Sequence, residues 1–286
     1  MITGASGYLG SYLLAHPQQD WRIIPVYHQH KERLPKDFQK HAICATDDLH
    51  NIISNCQPDA ILHTAAISKI DQCQSNPTHS KKINVDLTQS LTNIATNLNI
   101  PLLFTSTEQV FDGANAPYRE IDVPLPKTIY GQHKLIAEGI VANYEKGIVA
   151  RLPVMFGKSK NGCPNFFEEW LIKWQNGETV TVFYDEIRSF LSVRKAAESL
   201  FLLLNKEAEG LFHIGSHKGY SRKTLADLML QFVKPQPNLS LIEVISQNDI
   251  DLNIFRPKDL TLEIEKIKQL GFNIGELKEM IAIEMR

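Results

Sequence analysis

Through the first half of the chain, short apolar runs bounded by turn residues alternate with stretches whose apolar residues recur every three to four positions. Strand signals fall at residues 22–27, 60–63, 101–105 and 147–151. Helical periodicity falls between them, at 8–14, at 85–98 and at 129–144. In the second of these, Leu87, Leu91, Ile94, Ala95 and Leu98 share one face. This alternation predicts a doubly wound parallel sheet that binds ligands at its strand C-terminal ends. The second half is less regular. Helices are predicted at 164–174, 193–205 and 225–233, strands at 211–214 and 241–245, and loops elsewhere through 234–258. The expected fold is an α/β, Rossmann-like dinucleotide-binding domain over 1–157, free to regain segments from the second half. A smaller C-terminal substrate-binding lobe is expected over 158–286.

Composition narrows the picture by exclusion. With 286 residues, 43% of them hydrophobic, the chain can bury a substantial core. A net charge of −2 gives no drive toward nucleic acid or membrane surfaces. The longest apolar run, at 200–204, is too short to span a bilayer. No basic, apolar leader precedes the glycines at the start, so a cytoplasmic location is expected. Cys44, Cys56, Cys73 and Cys163 form no CxxC pair and read as reduced thiols. His28 and His30 form an HxH pair that no nearby cysteine or acidic cluster completes, so no metal site is expected.

Two motifs carry chemistry. The first is Gly4-Ala5-Ser6-Gly7-Tyr8-Leu9-Gly10, spaced GxxGxxG. Gly4 permits a tight turn out of a strand, Gly7 lets the backbone approach a pyrophosphate, and Gly10 lets the helix lie close against the sheet. The helix N-terminus adds N–H donors and a favourable partial charge. Only Met1, Ile2 and Thr3 precede Gly4, whereas an ordinary strand has ~5 residues. This implies either a late start or a truncated strand with a weakened cofactor site. The second motif is Tyr130 with Lys134, four apart on one face of a predicted helix. A phenol of ordinary pKa ~10 is a poor proton carrier at neutral pH, and a nearby ammonium lowers that value. The lysine can also hold cofactor ribose hydroxyls. A hydroxyl from Ser106 or Thr107, at a strand end, can polarise a substrate carbonyl. In this order the parts suit hydride transfer to a carbonyl.

The same residues resemble a known family. The matching stretches are Thr3 to Gly10, Gln57-Pro58-Asp59-Ala60-Ile61 with His63-Thr64-Ala65-Ala66, Ile83-Asn84-Val85, and Ser106-Thr107-Glu108-Gln109-Val110-Phe111-Asp112-Gly113. Pro117-Tyr118-Arg119-Glu120, Tyr130-Gly131-Gln132-His133-Lys134-Leu135 and Arg256-Pro257-Lys258-Asp259-Leu260-Thr261-Leu262 follow in order. Together they resemble the extended short-chain dehydrogenase/reductase superfamily, most closely its dTDP-4-dehydrorhamnose reductase group. The resemblance implies Thr107, Tyr130 and Lys134 as catalytic residues, Tyr130 donating the proton and Lys134 lowering its pKa and binding the nicotinamide ribose. It implies Gly4, Ser6, Gly7, Tyr8 and Leu9 at the cofactor pyrophosphate, Ala65 and Ala66 along the cofactor, and Asp48 with Leu49 at the adenine. Thr107, Glu108 and Arg256 would meet substrate, and Asn84 would position backbone.

Several details refine this. The second strand runs into Tyr27-His28-Gln29-His30-Lys31 and then Arg33, with no acid at its end to hold ribose hydroxyls, which favours NADP(H) over NAD(H). Glu108 replaces the family's usual Asp, and Val154 stands where a Trp is usual. In these respects the chain is similar to the regulatory beta subunit of methionine adenosyltransferase. Trp170 and Trp174 read as core packing. Arg188 and Arg256 suit a sugar-nucleotide diphosphate, Arg256 the better of the two, while Arg188 also fits a surface ion pair. The resulting expectation is an NAD(P)H-dependent reductase of a nucleotide-linked 4-keto-6-deoxy sugar, with a homodimer allowed. The alternatives are an NAD-dependent sugar-nucleotide epimerase or dehydratase, and a non-catalytic NADP-binding regulatory partner. Consumption of the cofactor separates them.

Overall fold

The computed structural model describes residues 1–17, 21–37, 43–44, 49–234, 241–250 and 254–286. Its centre is a parallel sheet of β1 (Ile2–Thr3), β2 (Pro25–Tyr27), β3 (Ile43–Cys44), β4 (Ile61–His63), β5 (Leu102–Thr107), β6 (Gly147–Leu152) and β7 (Gly210–His213). The seven strands run in the order β7-β6-β5-β4-β1-β2-β3. Chain direction across the sheet reverses between β1 and β4, and such a switch point opens a crevice at the strand C-terminal ends. β1 is as short as expected, but it is paired on both sides, to β2 and to β4. Just before it, the Met1 amine donates to the Ala60 carbonyl at 2.8 Å.

Alternation across the pleat explains why the strands read as unbroken apolar runs. Helices α1 (Tyr8–Ala15), α2 (Leu49–Cys56), α3 (Leu87–Leu98), α4 (Ile129–Ala142) and α5 (Val193–Asn205) cover the sheet. Leu103, Ile148 and Ala150 join one core with residues of α1 and α5, whereas Leu102, Phe104 and Val149 join the other with residues of α2, α3 and α4. Successive side chains point to opposite faces, and both faces are dry. β7 and α5 both follow residue 157, so the sheet layer takes in the second half of the chain through His213. The helix expected from residue 85 begins instead as a π turn, Lys82–Asp86, that runs into α3.

The remaining segments build the lobe from short pairings. Val180–Phe183 pairs in parallel with Ile242–Ile245, and Met155–Phe156 with Leu191–Ser192. Ile187–Arg188 pairs antiparallel with Tyr220–Ser221, directly before α6 (Arg222–Leu230). Trp170 and Trp174 are buried in the core on the helix Phe166–Gln175, with ring centroids 6.0 Å apart. No helix among the described residues is long and apolar enough to cross a membrane.

Two imidazoles are sealed inside. Thr3 Oγ1 lies 2.7 Å from His63 Nδ1 and Thr88 Oγ1 lies 3.1 Å from Nε2. Burial, with a contribution from Lys134, pushes the His63 pKa down to about 3. His213 Nε2 accepts from Arg151 at 3.1 Å and its Nδ1 donates to the Tyr118 carbonyl, also at 3.1 Å. Its pKa too falls to about 3, by burial and then by the Arg151 charge. The unfolded chain protonates both near pH 6.5. Between the two values it therefore binds up to two more protons than the folded chain, and stability falls as pH falls. The expected loss is up to about 1.4 kcal/mol per pH unit per histidine. Urea unfolding between pH 6.5 and 5 checks this: His63→Gln should flatten the slope by up to one proton, and an unchanged slope would contradict it.

Candidate active site

A cleft of about 570 Å³ opens at the C-terminal ends of β1, β2 and β4. Gly4, Ser6, Gly7, Leu49, Ala65 and Ala66 all line it. Gly4 has φ +69°, and a Cβ there would sit 2.7 Å from the Ala65 nitrogen, so only glycine lets the loop lie on the β4 rim. At Gly10 a Cβ would come within 2.2 Å of the Gly4 carbonyl. The close approach at Gly10 is thus to the loop itself and not, as the spacing suggested, to the sheet. Ser6 Oγ donates to the Gln29 carbonyl at 2.8 Å and ties the loop to the end of β2.

Two expected cofactor side chains turn away from the cleft. Leu9 is buried in the core, and the Tyr8 hydroxyl donates to the Gly157 carbonyl at 2.8 Å. What they offer a pyrophosphate is the backbone N–H groups of the first turn of α1, which have no intrahelical acceptor. Asp48 lies outside the described residues. The cleft's size is that of a small-molecule site. A dinucleotide fits its chemistry: a glycine cradle that a Cβ would fill, then a helix N-terminus, then a rim of His28, His30 and Arg33. No carboxylate is among its described lining residues, although Glu32 pairs with His30 at 3.0 Å.

The second motif assembles at the end of β5. Thr128 caps α4, its Oγ1 accepting from Gly131 N–H at 3.1 Å, and so starts the helix one residue before Tyr130. Thr107 Oγ1 accepts from Gln109 N–H at 3.2 Å, and the Thr107 hydroxyl is near enough to the Tyr130 phenol to pull its pKa down. Ser106, the other candidate, donates instead to Glu138, eight residues beyond Tyr130 along α4, which Arg151 grips with two hydrogen bonds of 2.9 and 2.7 Å. The helix and the strand end meet closely. A Cβ on Gly131 would lie 2.2 Å from the Gln109 carbonyl.

Burial pushes the Tyr130 phenol well above its ordinary value, with the Thr107 side chain opposing; the expected lowering by Lys134 is not among the causes. Lys134 is itself buried. Its amine donates to the Thr105 carbonyl and lies 4.0 Å over the Phe104 ring. Burial pushes it down to about 7, with Glu138 opposing. Removal from water is the largest cause at both groups.

Asn84, on the π turn, accepts from Ile67 N–H at 2.8 Å and donates to the Ile67 carbonyl at 3.0 Å. It thereby fixes the loop that carries Ala65 and Ala66. Glu108 and Arg188 are both fully buried, with Nε and Oε1 3.2 Å apart. The surface reading of Arg188 is therefore wrong. Its remaining N–H groups donate to the carbonyls of Ile187, Pro257 and Lys258, which anchors the lobe. Burial pushes Glu108 up to about 8 against the pull of Arg188. Glu108 meets Arg188 before any substrate, whereas Arg256 is open to solvent. Sequence patterns missed Gly131, His63 and Glu186, because their roles depend on backbones and charges remote in the chain.

The family described as the RmlD substrate binding domain matches residues 1–283. Methionine adenosyltransferase 2 subunit beta of Pongo abelii is 31% identical over 300 residues, covering 98% of this chain and 86% of that protein. For the Bos taurus protein the match is 34% over 160 residues, 55% of this chain and 47% of that one, so the chain spans about half its length. dTDP-4-dehydrorhamnose reductase of Aggregatibacter actinomycetemcomitans is 27% identical over 280 residues, 94% of this chain and 92% of the relative. Among solved structures, dTDP-4-dehydrorhamnose reductase from Bacillus anthracis, in complex with NADP, superposes with a TM-score of 0.86. That match is 22% identical and covers 99% of this chain and 96% of the other.

The Gly131 contact predicts a coupling. Gly131→Ala should push α4 off the Gln109 carbonyl and move Tyr130 away from Thr107, lowering turnover about tenfold or more. In a Thr107→Ala background the same change should cost little more, because the Thr107 hydroxyl is already gone. Full additivity of the two losses would show that Gly131 acts in some other way.

Proposed function

Because this chain belongs to the RmlD substrate binding domain family, we propose that it is an NAD(P)H-dependent reductase of a nucleotide-linked 4-keto-6-deoxy sugar, of the dTDP-4-dehydrorhamnose kind. The observation that carries this reading is the meeting of Thr107 and Tyr130 at the rim of the sheet, on the C-terminal edge where the glycine cradle also opens. A bound nicotinamide dinucleotide supplies the hydride. The residues of the chain do the rest. Backbone N–H groups of the α1 first turn hold a pyrophosphate. Thr107 and Tyr130 direct hydroxyls at one acceptor, the substrate carbonyl oxygen. Burial keeps Tyr130 Oη protonated at neutral pH, so the phenol is set to donate its proton to that oxygen, the direction that reduction requires. Lys134, one turn further along α4, presents its ammonium to ribose hydroxyls.

NADP(H) is the cofactor we favour over NAD(H). The support is the rim of His28, His30 and Arg33 where β2 ends, with no carboxylate among the described lining residues. A second reading, a non-catalytic NADP-binding partner protein, draws on the 31% identity to a methionine adenosyltransferase subunit and on Val154. Purified protein mixed with NADPH and dTDP-4-dehydro-6-deoxy-L-mannose should oxidise the cofactor. Tyr130→Phe should lower turnover at least ~100-fold, in line with loss of a general acid, and leave NADPH affinity unchanged. Bound NADPH with no oxidation would favour the second reading. Arg33→Ala should weaken NADPH binding and spare NADH, and tighter NADH binding by the unaltered protein would overturn the preference.

A further inference from the structure

One buried residue of α4 lies outside the chemistry of Tyr130 and Lys134. His133 stands directly before Lys134, and its Nδ1 lies 2.8 Å from Ser80 Oγ. Ser80, on the short helix Pro77–Lys81, is fully buried and accepts from Asn84 Nδ2 at 3.3 Å. Asn84 sits on the π turn Lys82–Asp86 and grips both polar groups of the Ile67 backbone. Ile67 lines the glycine-loop cleft together with Ala65 and Ala66. Three side chains, His133, Ser80 and Asn84, thus join the helix of Tyr130 and Lys134 to the cleft rim, and none of the three lines the cleft. A π turn inside a helical segment often marks a functional position.

The direction of each hydrogen bond follows from the groups involved. Asn84 Oδ1 accepts from Ile67 N–H, which fixes the amide so that Nδ2 donates both to the Ile67 carbonyl and to Ser80 Oγ. The Ser80 hydroxyl hydrogen is then free to point at His133 Nδ1, and the ring accepts it only while that nitrogen carries no proton. Cys73 closes the far side of the chain. Its thiol donates to the Ile67 carbonyl at 3.2 Å and lies 3.9 Å from Asn84 Nδ2. A proton on His133 Nδ1 makes the ring a second donor toward Ser80 Oγ. The Ser80 hydroxyl is then left with the Cys73 sulfur, a weak acceptor.

The surroundings resist that proton. Burial lowers the His133 pKa, the Lys81 ammonium lowers it further, and the Asp86 carboxylate opposes. Lys81 and Asp86 pair with each other at 2.9 Å on the surface. Burial raises the Cys73 thiol, which stays neutral. Lys134, next on the same helix, turns its amine to the Thr105 carbonyl. The neutral ring is therefore the resting form near pH 7, and it takes up a proton only as pH falls below the ordinary histidine range.

We propose that His133 is a positioning residue for the cofactor: through Ser80 and Asn84 its unprotonated ring holds the Ile67 rim of the cleft against the helix of Tyr130 and Lys134, and a proton on Nδ1 releases it. This rests on the reading of the cleft as a dinucleotide site. It ties the wall that the cofactor touches to the helix that donates the proton.

Fluorescence titration with NADPH at pH 7.5 and 5.5 tests it in the unaltered protein, in His133→Asn and in His133→Leu. Asparagine places Oδ1 where Nδ1 stands, an acceptor that takes no proton. At pH 7.5 His133→Asn should bind within about twofold of the unaltered protein and His133→Leu about tenfold more weakly, the scale of one lost buried hydrogen bond. At pH 5.5 the unaltered protein should fall toward His133→Leu, while His133→Asn keeps its lead. Titrating groups on NADPH and along the cleft are common to all three proteins and cancel in the comparison. Ser80→Ala serves if His133→Leu does not fold. It should reproduce the loss at pH 7.5 and show no further loss relative to His133→Asn at pH 5.5. Parallel pH profiles for the unaltered protein and His133→Asn overturn the proposal, as does unchanged affinity in Ser80→Ala. Neither outcome touches the reductase reading, because no sugar and no turnover enter the measurement. Failure of the unaltered protein to bind NADPH or NADH would overturn both.

Discussion

A parallel sheet covered on both faces admits polar side chains only near its strand ends, and the rest of this structure follows from that constraint. Thr3, His63, Thr105, Ser106 and Thr107 are all buried polar residues at the C-terminal ends of β1, β4 and β5. Each has a partner within reach. Thr3 and Thr88 flank His63, Thr105 Oγ1 donates to the His63 carbonyl at 3.1 Å, Ser106 meets Glu138 and Thr107 meets Tyr130. The rim is therefore a row of satisfied groups, over which the glycine loop and the start of α4 can settle without leaving buried donors orphaned.

Charge is built into this rim at close quarters. Tyr130, Lys134 and Glu138 follow one another at four-residue steps along α4, each buried. Glu138 is held by Arg151, and Arg151 lies over the Phe111 ring and against His213. Breaking a buried pair of this kind by removing one partner typically costs about 3–5 kcal/mol, because a lone charge is left out of water. The network therefore holds the proton-bearing helix face in a single arrangement. Burial is the largest cause of the shifts at both Tyr130 and Lys134. Both groups lose solvent together, and the lysine's charge is spent on the Thr105 carbonyl and the Phe104 ring.

The lobe follows a different logic. Its strands are two to four residues long and pair with segments 32 to 62 positions away. Patterns of local hydrophobicity carry little information over two residues, and so 155–156, 187–188 and 220–221 gave no strand signal. The strand near 242–245 did, because Leu241, Ile242, Val244 and Ile245 stand together there. Arg188 was misread for a related reason. An arginine in an irregular stretch looks exposed until its acidic partners, Glu108 and Glu186, are brought to it from both sides of the fold.

Sequence alone determined the alternation of elements, the glycine cradle and the shared face of Tyr130 and Lys134, because periodicity and spacing within one element are local properties of the chain. It also pointed to a hydroxyl at the end of an apolar run, Ser106 or Thr107, and the family resemblance chose Thr107. Tertiary structure decided which hydroxyl meets the phenol, since Ser106 and Thr107 are adjacent and only the packing of α4 gives Ser106 to Glu138 and Thr107 to Tyr130. It decided that Tyr8 and Leu9 offer backbone and not side chains, and that Gly131 sets the approach of α4 to the strand end. It also decided the protonation tendencies of Tyr130, Lys134 and Glu108. Those depend on how completely water is excluded and on which charges from distant segments remain nearby, and neither is written in the order of residues.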